Sequence, residues 1–186
     1  GPIRPGTDSV TKERIDIITG FQVAGSDDDE MKKRIACESC PGFGSCGGMF
    51  TYNTMQTFIG VMGLEPLHMI APPSDDQRRL EQFPEELVDY LQAMINGQVT
   101  PRDIVNRDSI RNAMIVSMAV GGSTNVLLHG PEIARAAGFR DFSRDIMSPE
   151  EFNHLSQYVV PVLIDARPFG SYSMVDIDEK GGVQVI

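Results

Sequence analysis

Three cysteines, Cys37, Cys40 and Cys46, lie within one stretch of the sequence, and they are the residues best suited to chemistry. Thiolates bind iron and zinc strongly, and they are also the nucleophiles of thiol redox reactions. An odd number of cysteines bunched so closely makes a poor disulfide framework. The pattern therefore predicts either a metal site that takes further ligands from elsewhere or thiol chemistry in a reducing compartment.

The residues around Cys46 make it the best candidate ligand. The segment Cys37-Glu-Ser-Cys40-Pro-Gly-Phe-Gly-Ser-Cys46-Gly-Gly-Met is rich in glycine, which lets backbone N–H groups approach cluster sulfur. We expect a helix from Gly47, whose unpaired N–H groups would lower the pKa of Cys46. From the spacing alone, three free thiols in a packed loop are as good an interpretation as a metal or redox site. A zinc ribbon would need a second C-x2-C pair, and nothing upstream of Cys37 is recognisable as the strand that a thioredoxin-like site requires.

A second glycine-rich segment, Gly121-Gly122-Ser123-Thr124-Asn125, precedes a predicted helix. Such a loop can present N–H groups to a phosphate or a carboxylate. No lysine follows and the P-loop spacing is absent, which argues against nucleotide binding. By itself the segment is more typical of a plain helix start capped by Ser123. The three histidines are His68, His129 and His154, and we expect them to be structural or solvated. No nucleophile elbow is present, which argues against Ser–His–Asp hydrolysis.

Apolar spacing and capping residues predict that helices dominate the middle of the chain. The predicted helices are 47–62, 84–96, 107–120 and 123–137, with a further helix start at Ser148. The apolar run Val159–Ile164 is typical of a short buried strand, and residues 173–186 suggest further strands. The fold class is therefore α/β.

Composition limits the partners. The 186 residues have 41% hydrophobic content and a net charge of −10, which fits one ordinary domain. No nucleic acid is expected, because binding one requires a basic patch. No membrane is expected either, because the apolar runs are far shorter than the ~20 residues of a spanning helix. The opening Gly-Pro-Ile-Arg-Pro-Gly resembles neither a signal nor a transit peptide. We expect a cytoplasmic protein, or an organelle-matrix protein if it is eukaryotic.

Three blocks of the chain resemble the iron–sulfur dehydratases that act on dihydroxy acids and sugar acids. Cys40-Pro-Gly-Phe-Gly-Ser-Cys46-Gly-Gly-Met-Phe-Thr-Tyr-Asn-Thr-Met55 is similar to their cysteine signature. The block from Asn112 to His129 resembles their GGSTN segment, and Val160–Met174 followed by Gly181-Gly182 resembles their strand segment before a domain junction. The blocks occur in family order over most of the chain, and the opening segment is similar to an internal segment of the family.

The resemblance implies a fold, an activity and a set of cofactors. Residues 1–186 would form one incomplete N-terminal domain, part of a layered α/β/α sandwich without the β-rich C-terminal domain. The parent enzyme would be a hydro-lyase that converts a 2,3-dihydroxy carboxylate to a 2-keto acid. It would use a [2Fe-2S] or [4Fe-4S] cluster and Mg²⁺, and it would be a homo-oligomer.

The resemblance also assigns residues. Cys46 would be a cluster ligand, Cys40 would pack beside it, and Ser123 and Thr124 would lie on the substrate side. The remaining cluster cysteines and the Mg²⁺ ligands would lie upstream, and the catalytic serine downstream. No catalytic residue is expected within these 186 residues, which would be inactive alone.

Both the substrate and the class of protein have open alternatives. Leu64-Glu-Pro-Leu-His-Met-Ile-Ala-Pro-Pro73 replaces the Ser-Leu-Pro-Gly usual in the family, although the residues after Cys46 are closer to the branched-chain-biosynthesis type. The substrate is therefore left open. The chain could otherwise be a stand-alone domain that binds a metal or a protein, or a thiol redox protein that uses Cys37 and Cys40.

Overall fold

The computed structural model describes residues 1–186, which form a mostly helical structure with one small sheet. Helices account for 55% of the residues, so strands do not build the frame. The sheet is an antiparallel pair, β1 (Gly6–Thr7) and β2 (Arg14–Ile15), in which Gly6 is paired with Ile15. The structure is compatible with an α/β fold.

The chain forms ten α-helices, and several of them begin at the capping residues of the sequence. Asp28 and Ser148, for example, accept hydrogen bonds from N–H groups in the first turn of their helices. The helices are α1 (Ile17–Val23), α2 (Asp29–Glu38), α3 (Thr51–Val61), α4 (Phe83–Asn96), α5 (Pro101–Ile104), α6 (Arg107–Ala119), α7 (Val126–Ala136), α8 (Phe142–Asp145), α9 (Pro149–His154) and α10 (Met174–Glu179). Short 3₁₀ turns lie at Leu67–Met69 and Val183–Val185, and π turns lie at Arg78–Gln82 and Leu155–Val159.

Two apolar clusters hold these helices together. The first packs α3, α6 and α7 around Phe58, Ile110 and Met114, all of which are fully buried. The second joins Met49 and Val120 to the C-terminal segment. Because α3 lies against the first cluster and Met49 just before it belongs to the second, the start of α3 is fixed from both sides. None of the helices combines the length and apolar character that a membrane crossing requires.

Two predicted helix starts were misplaced. Helix α3 begins at Thr51 after Phe50, not at Gly47, so a glycine-rich loop separates Cys46 from the helix. Helix α7 begins at Val126, and Ser123 does not cap it. The Ser123 hydroxyl instead accepts hydrogen bonds from the backbone and side-chain amides of Asn125. In both cases flexible glycines lengthen the loop before the chain becomes helical.

The predicted C-terminal strands were wrong for this chain. Residues 173–186 form α10 and a 3₁₀ turn, because Ser173 and Asp176 make a reciprocal capping box that favours a helix. The run Val159–Ile164 is neither paired nor buried: Val159 ends a π turn, and Val162 is 66% exposed. A short apolar run does not distinguish a strand from other packed segments, which explains this error.

Candidate functional site

Cys46 is half-buried in the loop that joins α2 to α3. The N-terminal segment holds this loop: the Ser45 N–H donates to the Gly1 carbonyl at 2.8 Å, and the Ile3 N–H donates to the Ser45 carbonyl at 2.7 Å. The backbone N–H groups of Gly47 and Gly48 lie near enough to the Cys46 sulfur to lower the pKa of its thiol. A sulfur atom approached by two amides in this way is stabilised when it carries negative charge.

Asn53 fixes the shape of the loop from within α3. Its side chain is fully buried, and its Nδ2 donates to the carbonyls of Cys46 at 2.7 Å and of Gly48 at 2.6 Å. In the sequence, Asn53 is simply one position of the predicted helix 47–62. A buried amide among apolar neighbours, seven residues after Cys46, was the available signal, because buried polar groups are almost always hydrogen-bonded.

The pKa of Cys46 is raised, whereas the sequence predicted that it would be lowered. Burial raises the pKa of the thiol, and the N–H groups of Gly48 and Gly47 lower it by less; the nearby Asp16 carboxylate raises it further. The expectation of a lowered pKa was wrong, because Cys46 is removed from the helix start and is partly shielded from water. Without a cation the thiol is protonated at neutral pH, whereas a bound metal ion would displace the proton.

Cys40 lies close to Cys46. Burial raises the pKa of the Cys40 thiol, and the charges of Cys46 and Asp16 raise it further. Cys40 lines a narrow cleft together with Asp16 and Arg167. Its position beside Cys46 suits a role in packing the loop.

Cys37 occupies a different environment. It is exposed in the last turn of α2. Redox C-x-x-C pairs place the reactive cysteine at a helix start, where N–H groups stabilise the thiolate. The geometry therefore gives no support to a redox pair of Cys37 and Cys40.

The third sequence block is tied directly to the Cys46 loop. The Met49 N–H donates to the Arg167 carbonyl and the Met174 N–H donates to the Gly47 carbonyl, both at 2.7 Å. The Arg167 guanidinium also pairs with Asp16 at 2.9 Å. These contacts join residues that are more than a hundred positions apart, so no local pattern in the sequence could have indicated them.

The GGSTN segment contacts the first turns of α3. The Ser123 N–H donates to the Thr54 hydroxyl at 3.0 Å, and the Asn125 side chain donates to the Thr51 hydroxyl at 2.8 Å. A Cβ at Gly122 would lie 2.9 Å from a Thr54 methyl and 2.7 Å from the Ser117 carbonyl, so this close approach requires glycine.

The three sequence blocks therefore meet at the start of α3. The structure places Ser123 half-buried at this end and Thr124 exposed beside it.

The described side chains do not complete a metal centre by themselves. No group of three or more His, Cys, Asp or Glu residues is placed to hold a metal ion. Two of the histidines have structural contacts: His68 pairs with Glu86 at 2.6 Å, and the His154 ring packs on Tyr158. The donor set at Cys46 fits one thiolate ligand of a metal cluster, supported by two amides, and the other ligands would have to come from outside it.

Comparison with known proteins identifies the family. A family model described as the dihydroxy-acid/6-phosphogluconate dehydratase N-terminal domain matches residues 1–186. The chain belongs to this family. It is 37% identical over 191 residues to a chloroplastic dihydroxy-acid dehydratase of Arabidopsis thaliana, matching 100% of this chain and 30% of the relative.

Other relatives give the same result. A dihydroxy-acid dehydratase of Leifsonia xyli is 37% identical over 194 residues, and a mitochondrial one of Aspergillus terreus is 33% identical over 191 residues. The matches cover 100% of this chain and 33% and 30% of these relatives, respectively. The chain therefore spans about a third of the length of the curated relatives that it matches.

Proposed function

We propose that this chain is the part of an iron–sulfur hydro-lyase that supplies one cluster ligand, the thiolate of Cys46. The observation that supports this most is the loop that carries the sulfur: Asn53, buried in α3, donates to the carbonyls of both Cys46 and Gly48, and the nearby N–H groups of Gly47 and Gly48 favour negative charge on the sulfur. When bound, a cluster of this kind supplies a Lewis acid that activates a departing hydroxyl group.

The residues of this chain would orient the thiolate and limit its access to water. Asn53 fixes the loop, and the tie between Arg167 and Asp16 closes one side of it. Cys40 would pack against the ligand loop without binding metal. Ser123 and Thr124, at the same end of α3, would face the substrate.

The names of the relatives suggest the substrate class. We infer a small 2,3-dihydroxy carboxylate, which loses water to give a 2-keto acid. Mg²⁺ would bind to carboxylates outside this set of residues, because the described carboxylates do not gather into a metal site.

The complete protein would have further properties. Its N-terminal domain would be a layered α/β/α sandwich in which residues 1–186 are one incomplete part, and a β-rich domain would carry the catalytic base. We infer a homo-oligomer in a reducing compartment, either the cytoplasm or an organelle matrix, where free thiols persist.

The test uses the full-length polypeptide purified without oxygen. Cys46→Ser should lose most of the bound iron and sulfide and the dehydration of a dihydroxy acid. Cys37→Ser is the matched control, since Cys37 is exposed in the last turn of α2, and it should retain both. Iron content and rate unchanged by Cys46→Ser would overturn the proposal, whereas loss of iron in both variants would indicate general misfolding.

A further inference from the structure

Residues 160–165 form an extended segment whose backbone groups make hydrogen bonds on one side only. They run without a turn or bend, and Val160 has extended dihedral angles. The Leu163 N–H donates to the Ala119 carbonyl at 2.7 Å, and the Asp165 carbonyl accepts from the Tyr172 N–H at 3.0 Å. Leu163 and Asp165 therefore direct their backbone groups into this chain.

Val162 and Ile164 alternate with those two residues. In an extended strand, neighbouring residues direct their N–H and C=O groups to opposite sides. Neither the N–H nor the carbonyl of Val162 or Ile164 makes a hydrogen bond with any group of the chain. Their four backbone groups therefore form a free edge, which we call the 162/164 edge.

The side chains of this segment are unusually apolar for an open surface. Val162 is 66% exposed and Leu163 is 58% exposed. Leu163 borders a groove of about 830 Å³, whose apolar lining also includes Ile164, Ile177 and Val185. An exposed apolar edge with unpaired backbone groups is a template for an additional strand.

We propose that a β-strand from the remainder of the same polypeptide pairs with the 162/164 edge and lays side chains in the adjoining groove. This inference rests on the proposed function, in which residues 1–186 are part of a longer enzyme. The relatives are about three times as long as this chain, so they contain ample sequence to supply the strand.

The size of the edge favours an occupant from the same polypeptide over a second copy. A stable interface between separate chains buries about 800 Å² on each partner, and a two-residue edge beside one groove is small for that. A covalently linked segment needs far less contact, because its effective concentration is in the ~mM range.

The test is residue-resolved hydrogen exchange of the full-length polypeptide. The amides of Val162 and Ile164 should exchange at least ~100-fold more slowly than in an unfolded chain. The amide of Leu163 is an internal control, because it is hydrogen-bonded within these 186 residues and should be slow in any case. Fast exchange at Val162 and Ile164 with slow exchange at Leu163 would overturn the proposal.

A dilution series and one variant complete the test. If the protection of Val162 disappears on dilution, a second copy covers the edge and the proposal is wrong. Val162→Pro removes one edge N–H without removing a hydrogen bond of this chain, and it should lower the urea midpoint of the full-length protein. Repeating the exchange on Cys46→Ser separates this inference from the ligand proposal, because strand pairing should persist when iron is lost.

Discussion

The Cys46 loop and the 162/164 edge differ in how completely this chain satisfies their backbone groups. Around Cys46, the carbonyls of Ser45, Cys46, Gly47 and Gly48 all accept hydrogen bonds from within the chain. At the 162/164 edge, neither residue makes a backbone hydrogen bond. Residues 1–186 thus hold the Cys46 loop in shape by themselves but leave the backbone groups of Val162 and Ile164 unpaired. The difference separates a preformed loop from an open edge.

The largest expected effect is in the core behind the Cys46 loop. Phe58 is fully buried in the first apolar cluster, so Phe58→Ala should lower the free energy of unfolding by ~3–5 kcal/mol. Leu128, which is 67% exposed on α7, provides the control, and Leu128→Ala should change it by less than ~0.5 kcal/mol. Urea unfolding measures both. Equal effects would show that the helices do not pack as described.

Asn53→Ala tests whether the chain preforms the loop. The substitution leaves the Cys46 and Gly48 carbonyls without a donor, which should cost ~1–3 kcal/mol in urea unfolding. It should also make Cys46 react faster with iodoacetamide, because the loop is loosened. Asn153→Ala is the control, since Asn153 is exposed on α9. Unchanged stability and Cys46 reactivity would mean that Asn53 does not hold the loop.

The sequence predicted the helices well, because their signals are local. The helix ending at Asn96 before Gly97 and the cap at Ser148 were both confirmed. The family and the link between the sequence and a dehydratase were also recognised, from three short blocks. Each helix signal and each block consists of residues within a few positions of one another, and the family was recognised from the order of the three blocks.

The helix at Met174–Glu179 was missed although its capping box is local, but the other failures involve contacts between distant residues. Backbone pairing of Val162 requires a partner strand, and the residues next to it in the sequence do not provide one. The pKa of Cys46 depends on burial beneath segments far along the chain and on Asp16. The hydrogen bonds from Asn53 to the Cys46 loop could not be predicted, because α3 starts four residues later than the glycines after Cys46 suggest.

A smaller effect is expected at the ion pair that closes the loop. Arg167 and Asp16 are both partly exposed, so water and salt weaken their attraction. Arg167→Gln should cost roughly 0.5–1 kcal/mol in thermal or urea unfolding, and less at 1 M salt. Arg135→Gln is the control, because that pair with Glu132 is well exposed on α7 and should contribute less. A salt-independent loss above that range would mean that Arg167 acts through packing.

The smallest effect is kinetic and concerns the thiols. Cys37 is exposed and should be alkylated first in the metal-free chain. Burial raises the pKa of Cys46, so less thiolate is present near neutral pH, and its alkylation rate should keep rising above the ordinary thiol value of ~8.5. Mass spectrometry of samples quenched across pH 7–10 resolves the two sites. A Cys46 rate that levels off below pH 8 would contradict the raised pKa.

The most direct test of ligation is thiol protection in the full-length polypeptide. Iodoacetamide should modify Cys37 equally before and after a chelator removes iron, since that side chain is exposed. Cys46 should resist modification while iron is bound and become reactive once it is removed, because a metal-bound thiolate is shielded from alkylation. Equal modification of Cys46 in both states would contradict its assignment as a cluster ligand.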